Sequence, residues 1–176
     1  MVNVALIGLR ASGKTTIGAL IAESLGMSFV DTDQRVLSGF QESTVVDVWR
    51  VHGEGPWRTA EAAEAAQAFG RDEQVISMGG GMPIIPEVSD RIRREQAADH
   101  LVVVYLDVAV DVLESRLDAN LGDRPALSDG VVRDDVAFVH RERDPVYRSL
   151  ADMICFVSSP ETAQETSARL LAMLTG

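Results

Sequence analysis

The stretch "GLRASGKTT" at residues 8–16 combines residue types and spacings that can bind phosphate. It fits G-x-x-x-x-G-K-[ST], in which backbone N–H groups surround phosphate oxygens, a lysine reaches the outer phosphates and a hydroxyl can ligate Mg²⁺. An apolar run precedes it and a helical pattern follows it, as such a loop requires. The pattern predicts nucleotide contacts from Gly8, Ala11, Ser12, Gly13, Lys14, Thr15 and Thr16.

Lys14 is the only lysine among the 16 basic residues of the chain, and all the others are arginine. A compact ammonium group can enter a tight loop between β- and γ-phosphates, whereas a planar guanidinium group is wider and favours a flat bidentate partner. We therefore predict a catalytic, phosphate-binding role for Lys14. The alternative is a surface lysine after a chance turn.

Two carboxylates follow a short apolar run in "FVDTD", residues 29–33. The two-residue period of a strand predicts that Asp31 and Asp33 lie on one side. We expect one of these carboxylates to help hold Mg²⁺ through water, while the other binds a substrate hydroxyl and accepts its proton. Of the two, we assign Asp31 to the metal site, together with the Thr15 hydroxyl. The alternative is that an aspartate here only caps a helix.

Two further segments predict an acceptor site. "HGEGPWR" places Arg58 at the start of a helix, where Glu61 can orient its guanidinium group by an i,i+3 contact. "MGGGMP" supplies Gly79, Gly80 and Gly81 after a strand, which lets a ligand approach the backbone. A plain flexible turn is the alternative for these glycines.

Alternation of strands and helices predicts one α/β domain over residues 1–176, with a mainly parallel five-stranded sheet covered by helices on both faces. The predicted strands are 2–7, 28–31, 74–78, 100–107 and 153–158. The predicted helices are 15–26, 44–53, 57–70, 89–98, 110–119, 133–151 with a break near Pro145, and 160–174, and residues 120–130 have loop composition.

A net charge of −11 and a pI of about 4.6 disfavour binding to nucleic acids and anionic membranes. No apolar run reaches the length of about 20 residues that a membrane helix needs, and the single cysteine, Cys155, forms no internal disulfide. We expect a cytoplasmic monomer in which positive charge is concentrated where an anionic ligand binds. The three histidines lack the spacing of metal ligands.

Taken together, the segments resemble the shikimate kinase family. "GLRASGKTT", "FVDTD", "HGEGPWR", "SMGGGMP", "GDRPAL" and "RERDPVYRSLAD" occur in the family's order over roughly residues 4–152. The resemblance implies a P-loop NTPase of the nucleoside-monophosphate-kinase type with sheet order 2-3-1-4-5. It also implies Mg²⁺-dependent transfer of the ATP γ-phosphoryl group to the 3-hydroxyl of shikimate, a step of chorismate and aromatic amino acid biosynthesis.

Residue by residue, the resemblance implies that shikimate binds to Asp33, Arg58, Gly80 and Arg143, with the two arginines on its carboxylate. Arg124 matches the catalytic arginine of a mobile lid at about residues 119–132, and Arg116 matches the arginine that stacks on adenine. The acceptor-binding segment is expected at about residues 33–61. The family pattern usually has glycine at position 11 and phenylalanine at position 57, where this chain has alanine and tryptophan.

Two other functions are compatible with the same motifs. A related P-loop kinase could phosphorylate another small alcohol such as gluconate, and a non-catalytic module of this fold could sense shikimate. The intact Lys14, Thr15, Asp31 and Arg124 favour an enzyme over a sensor.

Overall fold

Five parallel strands form one sheet in a computed structural model that describes residues 2–119, 132–157 and 161–176. The strands are Asn3–Ile7 (β1), Ser28–Asp31 (β2), Gln74–Ser77 (β3), Leu101–Val108 (β4) and Met153–Val157 (β5). Their spatial order is β2-β3-β1-β4-β5, as the resemblance implied. All four strand pairings are parallel, so the carboxyl ends of the strands share one edge.

Helices cover both faces of this sheet. They are Lys14–Leu25 (α1), Thr32–Ser38 (α2), Val45–His52 (α3), Glu54–Phe69 (α4), Pro86–Ala97 (α5), Val110–Ala119 (α6), Val132–Leu150 (α7) and Ala163–Thr175 (α8), with a 3-10 turn at Met82–Ile84. Neighbouring residues of β1 point to opposite faces: Leu6 packs with Ile17 and Leu170, and Ile7 packs with Trp57. None of the described helices is long and apolar enough to cross a membrane.

The predicted strand 28–31 is confirmed, but the prediction that a strand period places Asp31 and Asp33 on one side is wrong. β2 ends at Asp31, and the seven-residue helix α2 begins at the next residue. The Asp31 carboxylate accepts a hydrogen bond of 3.1 Å from the Gln34 N–H and so caps α2. Asp33 therefore lies in the first turn of a helix that the sequence pattern did not reveal, because the helix is short and mixes polar and apolar residues.

Three predicted helices have different boundaries or continuity. α4 begins at Glu54, which places Arg58 in its second turn, and α5 begins at Pro86, earlier than its apolar pattern indicated. The predicted break near Pro145 is wrong, since α7 runs through this proline. Proline removes one backbone donor, but Val139 before it and Tyr147 after it are both buried in the core, and this packing holds the two halves as one element.

Candidate active site

A cavity of about 380 Å³ opens at the carboxyl-terminal edge of the sheet, beside the ends of β1, β2 and β3. Side chains and backbone from the phosphate loop, α2, α3, α4, the triple-glycine turn, α6 and α7 line it. Its basic residues are Arg10, Lys14, Arg58, Arg116 and Arg143. Positive charge is thus concentrated in one place in a chain of net charge −11, which suits an anionic ligand.

The phosphate loop turns between β1 and α1 through backbone that favours glycine. Gly8 and Gly13 have φ angles of 144° and 95°, and a Cβ on Gly8 would stand only 2.8 Å from the carbonyl oxygen of Leu106. Ala11 adopts the left-handed region with φ 63°, so the methyl group that replaces the family's glycine is accommodated at a conformational cost. α1 begins directly after the loop, with Gly13 as its N-cap.

Lys14 lies inside the loop that it is predicted to serve. Its Nζ donates to the carbonyl oxygens of Gly8 and Leu9 at 2.9 and 2.7 Å, and to Ser12 Oγ at 3.3 Å. The side chain is buried, with 8% of its surface exposed. The ammonium group is thereby fixed at the N-terminus of α1, where the helix dipole also favours an anion.

Thr15 and Asp31 meet at the mouth of the loop. Thr15 Oγ1 donates to Asp31 Oδ2 at 2.7 Å, while the other carboxylate oxygen of Asp31 caps α2. The capping role and the metal-site role are therefore compatible in this residue. A hydroxyl and a carboxylate oxygen side by side form a donor set that suits a hard cation such as Mg²⁺.

The triple-glycine turn follows β3 and packs against the predicted acceptor residues. A Cβ on Gly79 would overlap Asp33 Oδ1, and a Cβ on Gly81 would overlap the Arg58 guanidinium group. The Gly79 N–H donates to Thr32 Oγ1 at 2.9 Å, and Thr32 donates to the Ser77 carbonyl at 3.2 Å. Glycine is therefore required at these positions because the side chains of Asp33 and Arg58 pack directly against the backbone of the turn. The hydrogen bonds of Thr32 fix the turn in place.

Arg58 is held by carboxylates on its own helix. Its guanidinium group donates to Glu54 Oε1 from Nε at 2.9 Å and from Nη2 at 2.8 Å, and to Glu61 Oε2 from Nη1 at 2.7 Å. The last bond is the predicted i,i+3 contact. The guanidinium carbon also lies 5.7 Å from the centre of the Trp49 ring. Arg58 thus presents a fixed planar cation to the cavity.

Glu61 is the most buried partner of this cation, with a side chain only 2% exposed. Burial raises the pKa of the Glu61 carboxyl group, and the neighbouring Arg58 opposes that rise. Burial alone would lower the pKa of Arg58, but Glu61 and Glu54 outweigh burial and raise it. The ionised form of each side chain in this pair is therefore stabilised by the charge of the other.

Arg143 reaches the same end of the cavity from α7. Its Nη1 lies 3.6 Å from the position that a Cβ on Gly80 would occupy. Arg143 and Arg58 both line the cavity with the triple-glycine turn between them. Two guanidinium groups beside open backbone can bind a small carboxylate by charge-assisted hydrogen bonds.

Arg116 contacts the phosphate loop. Its Nη1 donates to the carbonyl oxygens of Ala11 and Ser12 at 3.2 and 3.3 Å, which ties α6 to the loop. A contact between Arg116 and adenine stays a prediction. Arg124 and the lid around it lie outside the described residues.

Comparison with known proteins gives a consistent result. The family model described as shikimate kinase matches residues 10–175. A shikimate kinase of Trichormus variabilis is 31% identical over 175 residues, covering 98% of this chain and 91% of that protein. Shikimate kinase 2 of Escherichia fergusonii is 38% identical over 151 residues, covering 85% and 80%.

The chain belongs to the shikimate kinase family.

Solved structures agree with this membership. The shikimate kinase of Acinetobacter baumannii in complex with shikimate superposes with a TM-score of 0.84 at 25% identity, covering 99% of this chain and 93% of that one. A deoxyadenosine kinase from M. mycoides matches with a TM-score of 0.58 at 16% identity over 98% of each chain, which shows a shared fold. The predicted P-loop fold of the nucleoside-monophosphate-kinase type is therefore confirmed.

Relative to the family pattern, sequence reasoning missed three residues around this site. Arg10 lines the cavity. The sequence feature that could have indicated it is a basic residue at a variable position of the phosphate-loop motif. Thr32, between the two aspartates, holds the triple-glycine turn. Tyr147 contacts the same turn from α7. The last two act through partners 47 and 67 positions away, which local spacing does not indicate.

The structure also brings His140 close to Asp107 and Asp144, although its sequence spacing predicted no metal site. The ligand atoms of these three residues lie within 4.8 Å of one another. Arg148 already binds both carboxylates, donating from Nε to Asp144 at 2.8 Å and from Nη2 to Asp107. We interpret this cluster as an ion-pair network that joins α7 to the end of β4.

Proposed function

We propose that this protein transfers the γ-phosphoryl group of ATP to the 3-hydroxyl of shikimate, giving shikimate 3-phosphate and ADP. The observation that carries the proposal is one cavity with two chemically different ends. A phosphate loop with a fixed lysine forms one end, and Arg58 and Arg143 form the other. The triple-glycine turn adjoins both, since a Cβ on Gly80 would lie 3.4 Å from the Gly8 carbonyl oxygen and 3.6 Å from Arg143 Nη1. The relative from A. baumannii was solved with shikimate bound, which supports the assignment of the second end.

On the donor side, Lys14 and the first-turn N–H groups of α1 bind the phosphates. The ammonium group already sits on the loop carbonyls, so little reorganisation is needed when phosphate oxygens arrive. Arg116 holds the loop from outside, and Arg124 of the lid is assigned to the transferred phosphoryl group. Because the transition state of phosphoryl transfer is loose, positioning and charge neutralisation provide most of the catalysis.

Thr15 and Asp31 are the residues that would hold Mg²⁺, since their oxygens lie 2.7 Å apart beside the loop. When bound, the ion neutralises phosphate charge. We assign Thr15 to direct contact and Asp31 to contact through water.

On the acceptor side, Arg58 and Arg143 bind the carboxylate of the substrate and Asp33 binds the 3-hydroxyl. Asp33 lies against Gly79, at the boundary between the two ends of the cavity. As the hydroxyl oxygen forms its bond to phosphorus, its proton passes to the Asp33 carboxylate, and the bond to the β,γ-bridging oxygen breaks with ADP as the leaving group.

Shikimate-dependent ADP formation tests the proposal. We expect turnover with shikimate and Mg²⁺, loss of turnover when the divalent cation is chelated, and no turnover with gluconate. If ADP formed with gluconate and not with shikimate, the protein would instead be a kinase of a different sugar acid. Binding of shikimate with no ADP formation would assign a sensing module.

The role of Asp33 has its own test. Asp33→Asn keeps the shape and removes the proton acceptor, so kcat should fall by about 10²-fold or more. Asp90→Asn, which changes an exposed aspartate on α5, is the matched control. Full turnover in Asp33→Asn would remove the proposed proton transfer.

The reaction requires neither a second subunit nor a membrane. We therefore propose a monomer, and we assign it to the cytoplasm because the reaction consumes ATP. Sedimentation at micromolar concentration tests the first assignment.

A further inference from the structure

Tyr147 contacts the triple-glycine turn from α7. Its residue surface is fully buried, and it is not part of the cavity lining. The Tyr147 hydroxyl donates to the carbonyl oxygen of Gly80. This bond crosses 67 positions of sequence and joins α7 to the turn after β3.

A fixed Gly80 carbonyl also fixes the next amide group. None of the described peptide bonds is cis, so the N–H of Gly81 points opposite to the Gly80 carbonyl and therefore away from Tyr147. Gly80 and Gly81 carry no side chains that could hold this orientation, and glycine backbone is otherwise the most freely rotating. The tyrosine hydroxyl supplies a constraint that the glycines lack.

Arg143 lies one helical turn before Tyr147 on α7 and faces the same glycine. The Arg143 guanidinium group lies over Gly80, with Nη1 3.6 Å from the position of a Cβ there. Burial raises the pKa of Tyr147 to about 12, and the neighbouring positive charge of Arg143 partly offsets this rise. The tyrosine thus remains a neutral donor and acceptor throughout the physiological pH range.

We propose that Tyr147 is a positioning residue for the carboxylate of the acceptor: its hydroxyl locks the Gly80 carbonyl, at the residue over which the Arg143 guanidinium group lies. The inference rests on the proposed function, because it takes the end of the cavity at Arg58 and Arg143 as the carboxylate site. It predicts that loss of one buried hydroxyl outside the cavity weakens binding of shikimate and leaves binding of ATP intact.

Tyr105 provides a matched control. Its ring centre lies 5.2 Å from that of Tyr147, it is similarly buried, and its hydroxyl donates to Asp144 at 3.0 Å. Replacing either tyrosine by phenylalanine removes one buried hydroxyl from the same cluster. Only the Tyr147 hydroxyl contacts the triple-glycine turn.

The experiment compares Tyr147→Phe and Tyr105→Phe with the unmodified protein. Steady-state kinetics give KM for shikimate and for ATP, calorimetry gives the Kd of shikimate, and denaturant midpoints report stability. We expect Tyr147→Phe to raise KM and Kd for shikimate by about tenfold, the loss of one hydrogen bond, with kcat and KM for ATP within twofold of the unmodified values. Tyr105→Phe should leave both shikimate values within twofold.

Methyl shikimate, which lacks the carboxylate charge, sharpens the test. Its Kd should be the same in the unmodified protein and in Tyr147→Phe, because the contact that Tyr147 supports is absent. Equal weakening of shikimate binding in both tyrosine variants would show a merely structural role and overturn the inference. Unchanged shikimate binding in Tyr147→Phe would also overturn it.

Failure of the proposed function has a different signature. If the unmodified protein forms no ADP with shikimate and binds none in calorimetry, the proposed function and this inference both fall. If the unmodified protein turns over shikimate but the KM and Kd changes of the two tyrosine variants differ from those expected, only the inference about Tyr147 is overturned.

Discussion

The donor and acceptor ends of the cavity are built in different ways. At the donor end, Lys14 donates hydrogen bonds to Gly8, Leu9 and Ser12, which lie at most six positions away. At the acceptor end, the triple-glycine turn is held by Thr32 and Tyr147, which are 47 and 67 positions from their partners. Lys14 is thus placed by contacts within its own loop, whereas the triple-glycine turn is placed by distant elements of the fold.

Because the two ends are built differently, damage to each end should change a different kinetic constant. The donor loop presents backbone N–H groups and one ammonium group to a charge that develops in the reaction, so damage there should reduce kcat. The acceptor end fixes two guanidinium groups for a ground-state carboxylate, so damage there should raise KM. Four predictions, in decreasing order of expected effect, test this comparison between the two ends.

Replacement of Lys14 should give the largest effect. Lys14→Ala should lower kcat by about 10²–10³-fold, because the charge on the transferred group loses a fixed cation. The kcat of Lys14→Arg should fall almost as far, because the guanidinium group does not fit between the carbonyls that hold the ammonium group. Shikimate Kd should change less than twofold in both. An arginine variant within tenfold of normal turnover would contradict the steric argument.

Replacement of an acceptor arginine should be next in size. Arg58→Ala or Arg143→Ala should weaken shikimate binding by about 10- to more than 100-fold, the equivalent of about 1.5–3 kcal/mol for a charge-assisted bond. ATP affinity should change little. Arg50→Ala, at an exposed arginine of α3 that pairs with Asp47, is the control. If ATP binding fell and shikimate binding persisted, the two ends would have to be exchanged.

Arg58→Ala should also make stability depend on pH. Without Arg58, burial and Asp33 raise the pKa of Glu61 with less opposition, so the folded state binds a proton more tightly than the unfolded state. Stability is then fully present below the unfolded pKa of a glutamate and is lost as pH rises through the raised folded pKa.

We expect the loss relative to the unmodified protein to reach about 1–3 kcal/mol at pH 7 and to shrink toward pH 5, measured by denaturant unfolding. The double variant Arg58→Ala/Glu61→Gln should lose this pH dependence. A pH-independent difference in Arg58→Ala would mean that Glu61 is not the group responsible.

Ala11→Gly should give the smallest effect, and it should be stabilising. The φ angle of 63° at Ala11 is strained for a residue with a Cβ, and relief of that strain should outweigh the added chain entropy by about 0.5–1 kcal/mol. Ala63→Gly in the exposed face of α4 should have the opposite sign, costing about 1 kcal/mol. Destabilisation of equal size in both variants would show that Ala11 is unstrained.

The same contrast explains which parts of the site could be predicted from the sequence. Lys14 and Thr15 belong to a motif whose partners are local, and the Arg58–Glu61 contact follows from helical spacing. The sheet order came from the family resemblance, since alternation of strands and helices predicts a parallel sheet without its order. Asp33 lines the cavity beside Gly79, but the strand period used to predict its position does not apply to it, because helix α2 begins at Thr32.

Tyr147 and Thr32 could not be identified from the sequence. A tyrosine with helical spacing to other apolar residues is indistinguishable from core, and the core is indeed where its ring lies. Its hydroxyl gains a role only because the parallel sheet places the carboxyl end of β3 beside α7. Arg116 likewise contacts carbonyl oxygens more than 100 positions away.

The position of β1 in the middle of the sheet has a consequence for the order of assembly. Its neighbours are β3 and β4, so Val4 pairs with Val75 and Val102. The phosphate loop precedes β3 and β4 in the chain, so its supporting strand acquires both neighbours only after residue 102 has been made. Contacts this distant in sequence are slow to form because a long chain must be closed first. A chain interrupted before β4 would carry the complete nucleotide motif and still be unable to bind nucleotide.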